Sequence, residues 1–244
     1  MSENTTYQYP SSDDLRDRIR FSSDTGHIWL DEQRMLLMHS EAMGSMRREL
    51  IESLGIERAK GILIRTGYKA GVEDAKLAKK MRPDASEKDQ FLVGPQLHQL
   101  EGIVRVTPIR FEMDIKAKRF DMEIRWENSY ESEVHQKAFG VAEKPVCWME
   151  VGYASGYSTE FTGQSILFSE IACRACGEEY CTIVGKPVAE WDNPEELTKY
   201  YRSDSIVDQI LDLRNEVTSL RSSLIESEVL DSHIIGKSKP FKKA

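Results

Sequence analysis

Three of the four cysteines in the chain lie close together, at Cys173, Cys176 and Cys181, and the fourth is Cys147. Thiolates at these spacings can converge on one tetrahedral metal ion, with each sulfur about 2.3 Å from the metal. Spacing alone favours a zinc ion held by four thiolates. Glu170 could supply a carboxylate in place of Cys176, and the spacing does not choose between these two. A closed site with four protein ligands is expected to be structural; buried reduced cysteines without a metal are the alternative.

His98 and Trp126 are a second pair with possible chemistry. His98 ends the segment Gly-Pro-Gln-Leu-His, and Trp126 ends a stretch of alternating apolar and polar residues. Each also has a simpler interpretation, as a core tryptophan and as a histidine satisfied by backbone groups. The sequence contains no Ser-His-Asp order, H-E-x-x-H motif, dinucleotide fingerprint or phosphate loop. Nothing in the residues therefore argues for catalysis.

Composition places the chain among soluble globular proteins. Its 244 residues include 33 basic and 41 acidic side chains, for a net charge of −8, with 40% hydrophobic and 30% charged residues. Such a balance provides no excess positive charge for a nucleic-acid backbone. Neither a membrane-spanning apolar run nor a signal peptide is apparent, so the chain is expected to be cytoplasmic. In that compartment, clustered cysteines favour a metal over disulfides.

The hydrophobic patterns predict an α+β fold, with helices followed by an antiparallel sheet. Gly67 and Gly71 would lie on one face of the second helix and allow close packing. A slip in the alternation at Thr107-Pro108 predicts a bulge in the first hairpin. The predicted helices are 31–54, 56–81, 129–139 and 147–161, with a loop at 84–90, and the predicted hairpins are 104–126 and 165–184.

A heptad pattern follows the predicted sheet and favours a parallel two-stranded coiled coil, and hence a homodimer. Glu216 and Arg221 have the spacing of an ion pair between chains in that arrangement. A single amphipathic helix packed on its own domain is the alternative. The apolar heptad positions are Ile206, Ile210, Leu213, Val217, Leu220 and Leu224.

Five dispersed segments together resemble the N-terminal sensor of phenol- and xylene-responsive, sigma-54-dependent transcription activators. The segments are GHIWLDEQRM from Gly26, GPQLH from Gly94, PVCW from Pro145, GYASGY from Gly152 and IVGKP from Ile183. The resemblance implies a 4-vinyl-reductase-like α+β fold, followed in the family by an AAA+ ATPase and a helix-turn-helix domain. The implied organisation is a flexible N-terminus at 1–20, a sensor at 21–200, a helical or coiled-coil linker at 201–232 and a truncated ATPase start at 233–244.

The resemblance also implies roles for individual residues. The family's zinc ligands match Cys147, Glu170, Cys173 and Cys181, which would leave Cys176 as a bystander. Its phenol hydroxyl contacts match His98 and Trp126. Ile124 stands where several phenol sensors have an aromatic residue, so the tolerated ring substituents are in question. The remaining walls of the ligand pocket are expected to be Phe91, Ile109, Ile124, Tyr157 and Phe168.

The favoured hypothesis is a sensory module, not an enzyme, that binds phenol or methylphenols and relieves repression of a downstream ATPase. Sigma-54 RNA polymerase and DNA would be engaged through domains that this chain lacks. A vinyl-reductase-like enzyme acting on a tetrapyrrole or aromatic substrate is one alternative. A dimerising scaffold that binds no ligand is the other.

Overall fold

The structure, a computed structural model, describes residues 9–203 and 205–235. Residues 1–8 of the expected flexible N-terminus and residues 236–244 of the expected ATPase start lie outside the described part. The chain divides into two compact units, Met1–Arg202 and Ser203–Ala244. Among the described residues, no helix combines the length and apolarity needed to span a lipid bilayer.

The first described elements form a small antiparallel sheet with strand order β1-β2-β3. They are α1 (Asp13–Arg16), β1 (Ile19–Ser22), β2 (His27–Leu30) and β3 (Gln33–Met35). Leu15 of α1 is fully buried. Residues 9–20 therefore form a short helix and the start of a strand, where a flexible segment was expected.

The expected helix at 31–54 is wrong for its first part, because β3 occupies that stretch and α2 (Ser40–Leu54) begins only at Ser40. Asp31 has a φ of 54°, in the left-handed region, and makes the turn between β2 and β3. Short polar side chains tolerate this conformation better than most residues do. The turn therefore ends one strand and starts another where a helix was predicted.

The next helices are α3 (Ile56–Met81), α4 (Glu87–Phe91) and α5 (Val93–Leu100). Gly55, with a φ of 79°, separates α2 from α3. The predicted bounds of α3 and the predicted end of α2 at Gly55 are confirmed. The predicted loop at 84–90 is wrong in its second half, because Ser86 caps α4 by accepting a hydrogen bond from the Asp89 backbone N–H at 3.1 Å.

A four-stranded antiparallel sheet with the order β4-β5-β7-β6 completes the α+β fold. Both predicted hairpins and the two helices between them are confirmed. The predicted bulge lies between Pro108 and Arg110, where the pairing with β5 shifts by one residue. The remaining elements of this unit are β4 (Arg105–Asp114), β5 (Arg119–Glu127), α6 (Tyr130–Phe139), α7 (Trp148–Thr162), β6 (Ile166–Ala172), β7 (Cys181–Pro187) and α8 (Pro194–Thr198).

Helices α3 and α7 pack backbone to backbone through glycines, which confirms the close approach predicted for Gly67 and Gly71. A Cβ added to Gly67 would lie 1.9 Å from the Met149 carbonyl oxygen, and one added to Gly71 would lie 2.2 Å from that of Tyr153. Neither contact leaves space for a methyl group. The position of α7 relative to α3 is therefore set by the absence of side chains.

We expect Gly67→Ala to lower the free energy of unfolding by about 2–3 kcal/mol, because the new methyl group must push two helix backbones apart. Gly61→Ala in the same helix is the matched control, since its Cβ would meet only the end of the flexible Arg65 side chain, at 2.9 Å. Alanine there should be neutral or stabilise the protein by about 0.5–1 kcal/mol. Urea unfolding of both variants is the measurement, and equal midpoints would contradict the assignment.

The second unit is the helix α9 (Ile206–Ile235). It includes most of the predicted linker and continues beyond the predicted boundary at 232. Of the predicted heptad positions, Ile210, Leu213, Val217 and Leu220 are between 48% and 60% exposed in the single chain. The side chain of Ile206 lies outside the described part.

Candidate functional site

A cavity between α5, α7 and the four-stranded sheet brings together most of the predicted ligand-binding residues. We call it the inner cavity. Its volume is about 30 Å³, close to the volume that one water molecule occupies in the liquid. It is lined by Phe91, Pro95, His98, Val106, Met122, Ile124, Trp126, Tyr153, Ala154, Tyr157, Ser158 and Phe168.

His98 and Trp126 come to this cavity from different elements, α5 and β5, and both are buried. Burial lowers the pKa of His98 to about 3, because the charged imidazolium loses its hydration. The imidazole is therefore neutral at pH 7. A neutral imidazole carries one N–H donor and one acceptor nitrogen, whereas the Trp126 indole N–H can only donate.

The expectation for Ile109 is wrong. Its side chain is 46% exposed and does not line the inner cavity. Ile109 lies at the bulge between Pro108 and Arg110, and an extra residue there changes which face of the strand the next side chains occupy.

Several lining residues were not identified from the sequence. Val106 is paired with Trp126 across the two strands, and Met122 lies two residues before Ile124 on the same strand face. Their alternation with the expected wall residues was a usable signal. Tyr153 lies one helical turn before Tyr157, so helical spacing could have identified it as well.

The hydroxyl groups of the two tyrosines in the cavity wall already have partners. Tyr157 Oη donates to the Phe91 carbonyl oxygen at 2.9 Å and accepts from the Gly94 N–H at 3.0 Å. Tyr153 Oη donates to Asp74 Oδ2 at 2.8 Å. Each tyrosine therefore offers the cavity its ring face, while polar contacts with a ligand fall to other groups.

A second site lies between the start of α7 and the β6–β7 hairpin. Cys147, Glu170, Cys173 and Cys181 have ligand atoms within 4.8 Å of one another. These are the four side chains that the resemblance implies. Cys176 is half-buried in the turn and is not part of this group. The arrangement differs from the four-cysteine set favoured by spacing, because Glu170 points to the group from β6.

The geometry of this cluster fits a tetrahedral metal ion. Cys181 Sγ lies 3.7 Å from Cys147 Sγ and 3.9 Å from Cys173 Sγ. Sulfurs bound tetrahedrally at 2.3 Å from a metal would be about 3.8 Å apart. Glu170 Oε2 accepts the Cys147 backbone N–H at 2.9 Å, while its buried Oε1 has no hydrogen-bond partner. An unpaired buried carboxylate oxygen beside three thiols is well placed for a cation.

A buried network supports the segment that carries Cys147. The Arg47 guanidinium forms an ion pair with Glu131, donates to the Val146 carbonyl oxygen at 2.6 Å and lies 4.2 Å from the Trp148 ring centroid. Glu131 Oε2 in turn accepts the Glu150 backbone N–H at 2.9 Å. The network holds both residues that flank Cys147, so the thiol is positioned independently of the hairpin that bears the other ligands.

Together, the fold and the two sites define an α+β domain with an enclosed small-molecule cavity and a cluster able to hold a structural metal. Residues 14–114 match the family described as activators of aromatic catabolism, and residues 126–187 match the 4-vinyl-reductase domain family. The chain is 46% identical to the phenol-responsive sensory domain of the transcription activator PoxR, solved with phenol. That structure superposes with a TM-score of 0.76, and the match covers 78% of this chain and 94% of that one. This chain belongs to the same family of aromatic-responsive sensory domains of transcription activators.

Two full-length regulators are also similar. The phenol regulator MopR of Acinetobacter guillouiae is 40% identical over 233 residues, which are 94% of this chain and 42% of the regulator. The transcriptional regulatory protein XylR of Pseudomonas putida is 43% identical over 217 residues, which are 89% of this chain and 38% of XylR. The chain thus spans about two fifths of the length of these relatives. They favour a sensory role over the enzyme and scaffold alternatives.

Proposed function

We propose that this chain binds phenol or methyl-substituted phenols in the inner cavity, and that binding relieves the inhibition of an ATPase that follows it in the full-length protein. The observation that carries the proposal is that a neutral His98 and Trp126 line one buried, otherwise mostly apolar cavity. The names of PoxR and MopR as phenol-responsive proteins support it.

The two polar groups suit a phenol hydroxyl. Because the Trp126 indole N–H can only donate, the phenol oxygen accepts from it, and the phenol O–H then donates to the free ring nitrogen of His98. Both hydrogen-bonding capacities of one hydroxyl are used. Toluene would bury the same ring but leave both protein groups unpaired, at a cost of about 1–3 kcal/mol each.

Phe91, Tyr157 and Phe168 provide aromatic walls for the ring, and Ile124 lies on the strand that leads to Trp126. Apolar burial against these side chains is the main driving force for binding. Ile124 leaves more space than an aromatic side chain would, so the proposal includes tolerance of methylated phenols.

The same proposal assigns zinc, in a structural role, to Cys147, Glu170, Cys173 and Cys181. Three thiolates and one carboxylate suit zinc, and four protein ligands leave no position for a substrate. Bound zinc supplies the crosslink between the start of α7 and the β6–β7 hairpin. Reduced thiols are also what a cytoplasmic location provides. Contacts with sigma-54 RNA polymerase and DNA are proposed for domains that lie outside this chain.

We expect the chain to form a homodimer in which α9 contributes a parallel coiled coil. Leu213→Glu would bury an unpaired charge at the predicted interface, a cost of several kcal/mol. Ser222→Glu is the matched control, because its heptad position faces away from the partner helix. Light scattering over a range of concentrations should show weaker dimerisation only for Leu213→Glu. A monomeric wild-type chain would contradict the dimer, and an unchanged dimer after truncation at Tyr200 would contradict only the contribution of α9.

Calorimetric titration of the chain with phenol, cresols, dimethylphenols and toluene tests the ligand proposal. We expect phenol to bind roughly ten- to several-hundredfold more tightly than toluene. No heat of binding with any of these compounds would support the scaffold alternative. Chemical conversion of a bound aromatic compound would instead support the enzyme.

A further inference from the structure

The inner cavity adjoins a larger cavity, which we call the outer cavity, of about 440 Å³. Helices α3, α5 and α7 and the β2–β3 hairpin contribute to its walls. Of the described residues, two line both cavities, His98 and Tyr153. Their rings lie against each other, with centroids 3.6 Å apart. This ring pair is therefore the partition between the two cavities.

A ligand cannot occupy the inner cavity without moving part of its wall. At about 30 Å³, the cavity is far smaller than the roughly 150 Å³ of an engineered cavity that binds benzene. The side chains of Phe91, Trp126, Tyr157 and Phe168 around it are each only 2% exposed. An aromatic ring can enter only if one side of this wall opens.

Phe91 is not suited to open, because its ring packs against those of Phe111, Tyr157 and Phe161 at centroid distances between 5.1 and 5.3 Å. Tyr153 differs, since the outer cavity lies beside its ring. Its backbone is held by Gly71, where an added Cβ would lie 2.2 Å from the Tyr153 carbonyl oxygen. The tyrosine side chain can therefore rotate into empty space while α7 stays in place.

The far side of the outer cavity reaches solvent, because the lining residues Arg34, Ala70, Glu73 and Glu101 are exposed. Asp74 lies between these residues and the partition, and Tyr153 Oη donates to its Oδ2 at 2.8 Å. We infer that a phenol reaches the inner cavity through the outer cavity, past the ring of Tyr153, and that the bond to Asp74 holds this gate closed. The inference rests on the phenol-binding function proposed above.

Another cavity also adjoins the inner one, and it provides a rival path. It has a volume of about 170 Å³ and shares Phe168 with the inner cavity; exposed Lys144 is among its lining residues. Each path can be obstructed from an exposed position, Ala70→Phe for the outer cavity and Lys144→Phe for the rival. Lys69→Phe is the surface control, because Lys69 is exposed on the same helix as Ala70 and lines neither cavity.

Stopped-flow measurements of phenol binding and release, followed by tryptophan fluorescence, test the path in the full chain. We expect Ala70→Phe to slow association and dissociation by about tenfold or more, with Kd changed less than about threefold, because an obstructed path slows both directions. Lys144→Phe and Lys69→Phe should match wild type. Tyr153→Phe, which loses the bond to Asp74, should raise both rates together.

Association of Ala70→Phe at the wild-type rate would overturn the inference, and so would slowing by Lys144→Phe alone. Unchanged rates in Tyr153→Phe would remove Tyr153 from the gate. A fall in association with no change in dissociation would indicate damage to the binding site and would also count against an access path. If wild type itself bound no phenol in calorimetry, the proposed function would fail. If wild type bound phenol and Ala70→Phe bound it equally fast, only the path would fail.

Discussion

Phenol affinity should fall by roughly ten- to several-hundredfold in Trp126→Phe and in His98→Ala, as expected when a buried hydroxyl loses a hydrogen-bond partner at about 1–3 kcal/mol. Trp126→Phe keeps an aromatic ring in the wall and removes the indole N–H. His98→Ala removes the acceptor nitrogen that stays uncharged because burial lowers the pKa of His98 to about 3. Calorimetry with phenol measures both losses.

Toluene and Ile109→Ala provide the controls. Toluene has no hydroxyl, so Trp126→Phe should change its affinity much less than that of phenol. Ile109 is half-exposed at the bulge, and its removal should leave phenol binding unchanged. If His98→Ala bound phenol normally, or if wild type bound toluene and phenol equally well, the hydroxyl would not be recognised by this pair.

Cys173→Ala and Cys181→Ala should yield unfolded or insoluble protein. Structural zinc sites provide about 10–16 kcal/mol in zinc-finger peptides, comparable to the whole stability of about 5–15 kcal/mol of a typical domain. Each substitution removes one of the four side chains that cluster within 4.8 Å. Circular dichroism and elemental analysis of the purified variants measure the loss of structure and of zinc.

Cys176→Ala is the matched control from the same turn, since Cys176 is not in the cluster. It should retain one equivalent of zinc per chain and the wild-type unfolding midpoint. Loss of zinc in Cys176→Ala would restore the four-cysteine arrangement. Less than half an equivalent of zinc in well-folded wild type would contradict the metal site altogether.

The parts of the fold that could be predicted are those with strong local signals. The bounds of α3 follow from Gly55 at one end and Pro83 just beyond the other. Both hairpins of the large sheet follow from alternation over long strands. The β1-β2-β3 sheet was missed because its strands have only 3 or 4 residues, too few for a period of two to show. Met35, which follows this alternation only briefly, also fits the helical spacing of the residues after it.

The sites were predictable in residue type but not in every position. Glu170 and Cys176 were equivalent by spacing, and only the course of β6 and the following turn brings Glu170 to the thiols. Ile109 was misplaced because the slip in the pattern shows that a bulge exists but not which side chain it turns outward. Tyr153 was overlooked because its role depends on an empty space beside it, which no local pattern encodes.

The bulge in β4 also affects how the sheet behaves toward other chains. In the strand order β4-β5-β7-β6 of the described residues, β4 pairs on only one side, so its other edge carries free backbone groups. Such an edge can act as a template for intermolecular strand addition and aggregation. Pro108 has no N–H to offer a second strand, the bulge interrupts a regular register, and Arg110 forms ion pairs with Asp121 and Glu123 at 2.9 Å. Growth of a continuous sheet across two copies is therefore unfavourable at this edge.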